Sequence, residues 1–240
     1  LNWKIQHNLL HHSYTNVHEY DEDIETVKFL RFSPEEKRRP IHKYQFLYAW
    51  FFYGFMTVMW MTSKDFQQIK RYKDKDLLKS FNEKYSFNLL KLIASKLVYY
   101  TLIIVLPIIL IPISWYWTIL FIFIMHYIAG FILGIVFQPA HVIPETSFVK
   151  PNEDLTIDNN FAIHQMQTTA NFAPKSRIFA WYVGGLNFQV EHHLFPNICH
   201  VHYKKLSKIV KETAEEFNIP YLSHKTFFSA LYSHGKMLKQ

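Results

Sequence analysis

Charged and apolar residues divide this chain into blocks, and the blocks set its organisation. Three stretches carry no Asp, Glu, Lys or Arg: Gln45 to Thr62, Leu97 to Ser114 and Tyr116 to Val136. A helix crossing a bilayer needs about 20 apolar residues, so the last two stretches predict spanning helices. Only Trp115 separates them. They therefore read as a hairpin, with Trp115, Tyr116 and Trp117 at the far interface and Pro107 and Pro112 tolerated as kinks. In the first stretch, Tyr48, Trp50, Tyr53 and Trp60 are spread along the length instead of gathering at the ends. That distribution predicts a segment lying in the headgroup plane or re-entering it.

Charge gives the orientation. Of the 26 Lys and Arg, seven precede residue 45, nine fall between Ser63 and Lys96, ten follow His141 and none lies in the hairpin turn. By the positive-inside tendency, all but that turn is cytoplasmic. The expected fold is all-α: an integral-membrane helical hairpin with interfacial helices and a cytoplasmic helical cap. Its segments are 1–44 (cytoplasmic), 45–62 (interfacial or re-entrant), 63–96 (basic, cytoplasmic), 97–136 (hairpin) and 137–240 (cap). Within the cap, the spacing of Leu206, Ile209, Val210 and Ala214 predicts a final helix from Tyr203 to Phe217, ended by Asn218 and Pro220.

Composition narrows the class. Half of the 240 residues are hydrophobic and 18% aromatic, which suits one sizeable domain and excludes a disordered chain. The net charge of +7 comes without a nucleic-acid motif, so anionic lipid is the expected partner and nucleic acid is not. The single Cys199 excludes an intramolecular disulfide and reads as a packed small residue. The chain begins at Leu1 and enters its first histidine cluster at once, which reads as a fragment lacking an N-terminal part.

The candidate chemistry is a pair of histidine clusters, HNLLHH (His7, His11, His12) and QVEHHLFP (His192, His193). On an α-helix, His7 and His11 share a face and His12 lies about 100° round, a fork that serves two metals or two sides of one. Gln189, three and four positions before the second pair, is placed to orient or join its rings. A His-rich set without Cys argues against iron–sulfur clusters and common structural zinc sites, and makes redox iron attractive. Both clusters must then lie on one side of the membrane, which is why one of the three uncharged stretches cannot cross. His141 in FQPAHV emerges just past the second spanning stretch and is a further candidate ligand; His164 in HQMQTTANF is open between ligand, channel hydrogen bond and structure. Ligating histidines need partners on their second ring nitrogen; Asp21 and Asp23 are the preferred candidates, with Glu191 another. His126, deep in the hairpin, is left outside the metal site.

HNLLHHSYTN, FQPAHV, HQMQTTANFAP and GGLNFQVEHHLFPNICHVHY resemble the membrane fatty acid desaturases, in particular front-end acyl desaturases of bacterial type (delta-5/delta-6, linoleoyl-CoA desaturase-like). The likeness runs through nearly the whole chain, and Gln189 stands where front-end members carry Gln in the last box. The resemblance implies a non-haem di-iron centre, on the cytoplasmic face of a bacterial inner membrane, that uses O2 and two electrons to desaturate a long-chain acyl substrate, carried on CoA or lipid, with ferredoxin or cytochrome b5 as electron donor. It implies His7, His11, His12, His141, His192 and His193 as ligands. The family's HxxxH box has no counterpart here, so the fragment alone is expected to be inactive. A di-iron hydroxylase or sphingolipid desaturase would share these ligands, and a zinc-binding membrane transporter or structural protein is the reading from another class.

Overall fold

The computed structural model describes residues 1–240 apart from Thr26, Leu155, Asp158 and Asn159. The chain folds as two compact units, one of residues 1–5 and 50–134 and one of residues 6–49 and 135–240. Both are helical; the described strands, Asn171–Phe172 and Ser223–His224, pair in parallel over two residues each.

The first unit holds two helices long and apolar enough to cross a membrane, Tyr85–Leu110 and Trp115–His141, the latter ending in the second unit. None of the most apolar window of the first is buried. Leu97, Val98, Ile109 and Leu110 are exposed, so a core does not explain them and a lipid surround does. The first helix starts at Tyr85, twelve residues before the uncharged stretch begins. Lys96 is accommodated inside it because its stem reaches Asp65 (Nζ–Oδ2 2.7 Å) and the Trp60 carbonyl. His126 bonds the hydroxyls of Tyr99 and Thr57, which gives it a structural role in joining neighbouring helices.

The segment from Gln45 is helical in pieces, Gln45–Tyr53, Met56–Met59 and a π-helical Trp60–Lys64. It packs against the Trp115–His141 helix through small residues. A Cβ on Gly130 would lie 2.6 Å from the Gly54 carbonyl oxygen, and one on Gly134 2.7 Å from Tyr53 Cβ. Only glycine allows that approach.

In the second unit, Met166, Val190, Val210 and Ala214 form a core with Leu194, Ile219 and Tyr221 around it. It ties together helices Phe161–Thr168, Gln189–Leu194 and Tyr203–Glu216. The last of these ends as its sequence predicts: Asn218 adopts φ 54° and the Ile219 amide reaches the Ala214 carbonyl at 2.8 Å, a Schellman closure. It is not the final helix, however. Thr226 caps a further one, Phe227–Lys239, through a reciprocal bond with Ser229. Cys199 is exposed and not packed, because it precedes the short 3-10 turn His200–His202 at the surface.

Candidate metal centre

Every side chain of the candidate site belongs to the second unit. His7 and His11 lie in a π-helical segment, Lys4–His11, continued by the α-turn His12–Tyr14. This changes the geometry expected of an α-helix. A π-turn bonds i to i+5, so His7 lies beside His12, with their Nε2 atoms 3.3 Å apart. His192 and His193 sit at the end of the Gln189–Leu194 helix. Its start is held by Asn171, whose Oδ1 accepts from the Val190 amide at 2.9 Å, replacing the cap that Phe188 cannot give. Upstream, Gly184 and Gly185 take φ 60° and 76°, and a Cβ on Gly185 would stand 2.7 Å from His200 Cβ. The GG pair thus sets the approach to this helix.

Each His doublet divides between two groups. His7, His12 and His192 bring one ligand atom each within 4.8 Å of one another, and His11, His141 and His193 do the same. His7 Nε2 stands 3.4 Å from His192 Nε2. Metal–imidazole bonds of about 2.0–2.1 Å at right-angle to tetrahedral spacing place nitrogens roughly 2.8–3.4 Å apart, so the first group fits one ion. His7 and His11 also lie with Asp23 in a third, overlapping set.

The second group is buried throughout and has its tautomers set from behind. His11 Nδ1 bonds Asp21 Oδ1 at 3.0 Å, His141 Nδ1 donates to the Thr168 carbonyl at 3.2 Å, and His193 Nδ1 donates to Gln165 Oε1 at 2.9 Å. The Nε2 atoms of His141 and His193 are buried with no hydrogen-bond partner among the described residues. Orphaned buried nitrogens are costly. A cation among them relieves that cost, so these residues fit a metal.

Electrostatics favour neutral imidazoles. Burial, then neighbouring His11, lowers His7 to about 3; burial, then His192, lowers His12 to about 2; burial, then His11, lowers His192 to about 4. Burial takes His193 well below the usual value. His11 is the exception: burial opposes its charge, but the carboxylates of Asp21 and Asp23 outweigh it and raise it to about 9. Asp21 is fully buried and fixed by the amides of Asn16 (2.8 Å) and Asp23 (2.9 Å), while Gln6 holds Asp23.

The description "fatty acid desaturase" matches residues 1–225. The chain belongs to the fatty acid desaturase family. It is 37% identical over 241 residues to an sn-1 linoleoyl-lipid 6-desaturase of Arthrospira platensis, covering 99% of this chain and 64% of that protein. A protein of the same name from Synechocystis is 34% identical over 99% of this chain and 66% of its own length. An acyl-lipid (8-3)-desaturase of Physcomitrium patens is 34% identical over 99% of this chain and 49% of its own. This family member thus spans about half to two thirds of these relatives. No solved structure matches it.

Other candidates fall differently in this desaturase-family chain. Gln189 is buried, but it bonds neither ring and its Nε2 has no partner among the described residues. The role of orienting the rings, expected of Gln189, is filled by Tyr203, whose hydroxyl lies 3.3 Å from His192 Nδ1, and by Gln165. The reason is direction: helical stacking beneath a ring does not bring an amide to its Nδ1. His164 is buried outside both three-His groups. Glu191 turns away from the imidazoles to Asn171 Nδ2 (2.8 Å) and the Tyr221 hydroxyl (2.9 Å). Gln165 is the residue that sequence reasoning passed over. It is fully buried, accepts from His193 and from Thr15 Oγ1 (2.9 Å), and donates to the His12 carbonyl (3.0 Å). The signal was the dense polar run HQMQTT on a short helix, whose burial requires a hydrogen-bonded network.

Proposed function

We propose that the chain supplies the metal-binding part of a front-end acyl-lipid desaturase that uses O2 to introduce a cis double bond into a long-chain, lipid-linked acyl group. Two non-haem irons would be held by His7, His12 and His192 and by His11, His141 and His193. The carrying observation is the division of each His doublet between two three-imidazole groups. Imidazole-rich, thiolate-free sites suit iron, and the relatives' names include linoleoyl-lipid and acyl-lipid desaturases.

An unactivated methylene offers no acidic proton or leaving group, and bound iron supplies the oxygen-dependent redox chemistry it requires. The protein's residues do the rest. Asp21, the Thr168 carbonyl and Gln165 hold Nδ1 protons so that the Nε2 lone pairs of His11, His141 and His193 face inward. Burial of these three rings excludes water. The helices Tyr85–Leu110 and Trp115–His141 would cross the bilayer as a hairpin with the imidazoles on the cytoplasmic face, taking electrons from a separate carrier such as ferredoxin or cytochrome b5.

The test is expression of the full-length gene in a host that lacks polyunsaturated acyl chains, fed linoleate, with mass spectrometry of its lipids. A product lacking two hydrogens, with its new double bond on the carboxyl side of the existing ones, supports the reading. Gain of an oxygen atom, or metal analysis showing zinc and no iron, overturns it.

A further inference from the structure

Away from the imidazoles, the second unit carries a face whose largest side chains are mostly exposed. The helices Arg177–Tyr182 and Phe227–Lys239 start near the two paired strands and are pinned by Phe172, Phe179 and Phe227, with Phe179 and Phe227 centroids 4.8 Å apart. Outside that cluster, Ile178 and Trp181 are each 81% exposed, Phe228 80%, Tyr232 69% and Tyr182 65%. Their spacing is not accidental. Ile178, Trp181 and Tyr182 fall at i, i+3 and i+4 on one helix and Phe228, Tyr232 and Lys236 at i, i+4 and i+8 on the other, so each forms a single stripe.

The charges carried by the two helices and their flanking segments have one sign. Lys175, Arg177, Lys225 and Lys236 are exposed there, and the sequence contains no Asp or Glu from Phe161 to Val190 or from Phe217 to Gln240. Lys236 Nζ lies 4.7 Å from the Tyr232 ring centroid, which leaves its charge at the stripe's edge. The acid bonded to the longer helix, Glu145, reaches it through Ser233, a buried residue off the Phe228–Tyr232 stripe.

We propose that this face docks on the anionic surface of a lipid bilayer, with Ile178, Trp181 and Phe228 entering the boundary between headgroups and acyl chains and the four cations meeting lipid phosphates. Isolated apolar residues on a protein surface are ordinary, but five large exposed ones in two helical stripes mark an interaction site. Trp and Tyr with basic neighbours are the side chains that prefer the membrane interface. A bilayer is at hand, because the same chain carries two helices apolar enough to span one.

The test is site-directed spin labelling of the intact protein in bilayers containing phosphatidylglycerol. On a Cys199→Ser background, cysteine replaces Ile178, Trp181, Phe228 or Tyr232 one at a time, with Glu212→Cys on an exposed polar helix face as the aqueous control. Retained metal binding checks the fold of each variant. The expected result is accessibility to oxygen with accessibility to a water-soluble nickel chelate reduced several-fold below the control. Nickel accessibility equal to the control places the face in water and overturns the proposal. Shielding from both reagents shows a protein cover, whether an electron carrier, a second copy or another segment, and overturns it as well. In pure phosphatidylcholine, or after Lys175→Gln, Arg177→Gln, Lys225→Gln and Lys236→Gln together, the labels should sit shallower; unchanged depth in both cases rejects anionic lipid as the occupant.

Discussion

Replacing Gln165 with Leu removes the amide that sets the His193 tautomer while nearly preserving volume. Gln165 makes three side-chain contacts, to His193 Nδ1 at 2.9 Å, to Thr15 Oγ1 at 2.9 Å and to the His12 carbonyl at 3.0 Å. Thr15 keeps its bond to the His11 carbonyl at 2.6 Å and lies 3.2 Å from His193 Nδ1, so the His12 carbonyl loses its side-chain donor while His193 exchanges an amide acceptor for a more distant hydroxyl. A buried group without its partner costs about 1–3 kcal/mol, which predicts a loss of about 1–3 kcal/mol in stability. His193 is also freed to move its proton to Nε2, the atom that faces the metal. Loss of an outer partner of this kind typically lowers metal affinity about 10–100-fold, equivalent to about 1.4–2.7 kcal/mol. The assay is titration of chelator-stripped protein with Co(II), following its visible bands, and with Fe(II) under anaerobic conditions. The overall affinity for the metal pair should fall by that factor. Gln165→Glu retains an acceptor for Nδ1 and should recover most of the loss. Native overall affinity in Gln165→Leu refutes the reasoning. So does failure of Gln165→Glu to do better than Leu.

Four further outcomes are expected. In metal-free protein, His11 is raised from 6.5 to about 9, so its charge adds about 3 kcal/mol of stability that is complete below pH 6.5 and is lost as pH climbs through 9. Asp21→Asn should flatten that part of the denaturation-versus-pH curve, and an unchanged slope would show that Asp21 does not govern His11. In the complete protein, His192→Ala and His193→Ala should each abolish product and lower bound iron, and a normal iron content with turnover would remove them from the ligand set. Asn171→Ala loses the cap on the Gln189–Leu194 helix and a bond to buried Glu191, so thermal denaturation should show a loss of about 2–4 kcal/mol; less than about 0.5 kcal/mol would mean that another group takes over. Gln189→Ala should leave the positions of cobalt bands unchanged, because Gln189 holds neither ring, and a shifted spectrum would reinstate it as a partner of the metal.

What the sequence made legible was governed by how local each cause is. Apolar length sufficed to find the two long helices, but their true start at Tyr85 was hidden by Lys91 and Lys96, and the acceptors of Lys96 lie more than thirty residues away. Residue type marked the imidazoles and the Asp21–Asp23 pair beside them, because a metal site needs basic nitrogens and carboxylates behind them. The pairing of His7 with His12 was not legible, since α-periodicity groups His7 with His11 and nothing in KIQHNLLH announces a π-turn. Gln165 and Asn171 escaped for a different reason. Their bonds cross 28 and 19 residues to His193 and Val190, and a single amide on a helix or strand carries no pattern of its own. The helix Phe227–Lys239 was masked by Ser229, Ser233 and Gly235, which weaken its periodicity although its cap at Thr226 is regular.

One peptide bond joins His11 to His12 and another joins His192 to His193, yet within each doublet the rings serve different groups. Occupation of either group therefore immobilises the backbone that presents two of the three rings of its twin, and the entropy of ordering those segments is met once for both. Loading should be cooperative: a half-filled centre is the least populated state, and stripping by chelator removes the pair together. A cell short of metal would then hold a mixture of complete and empty centres.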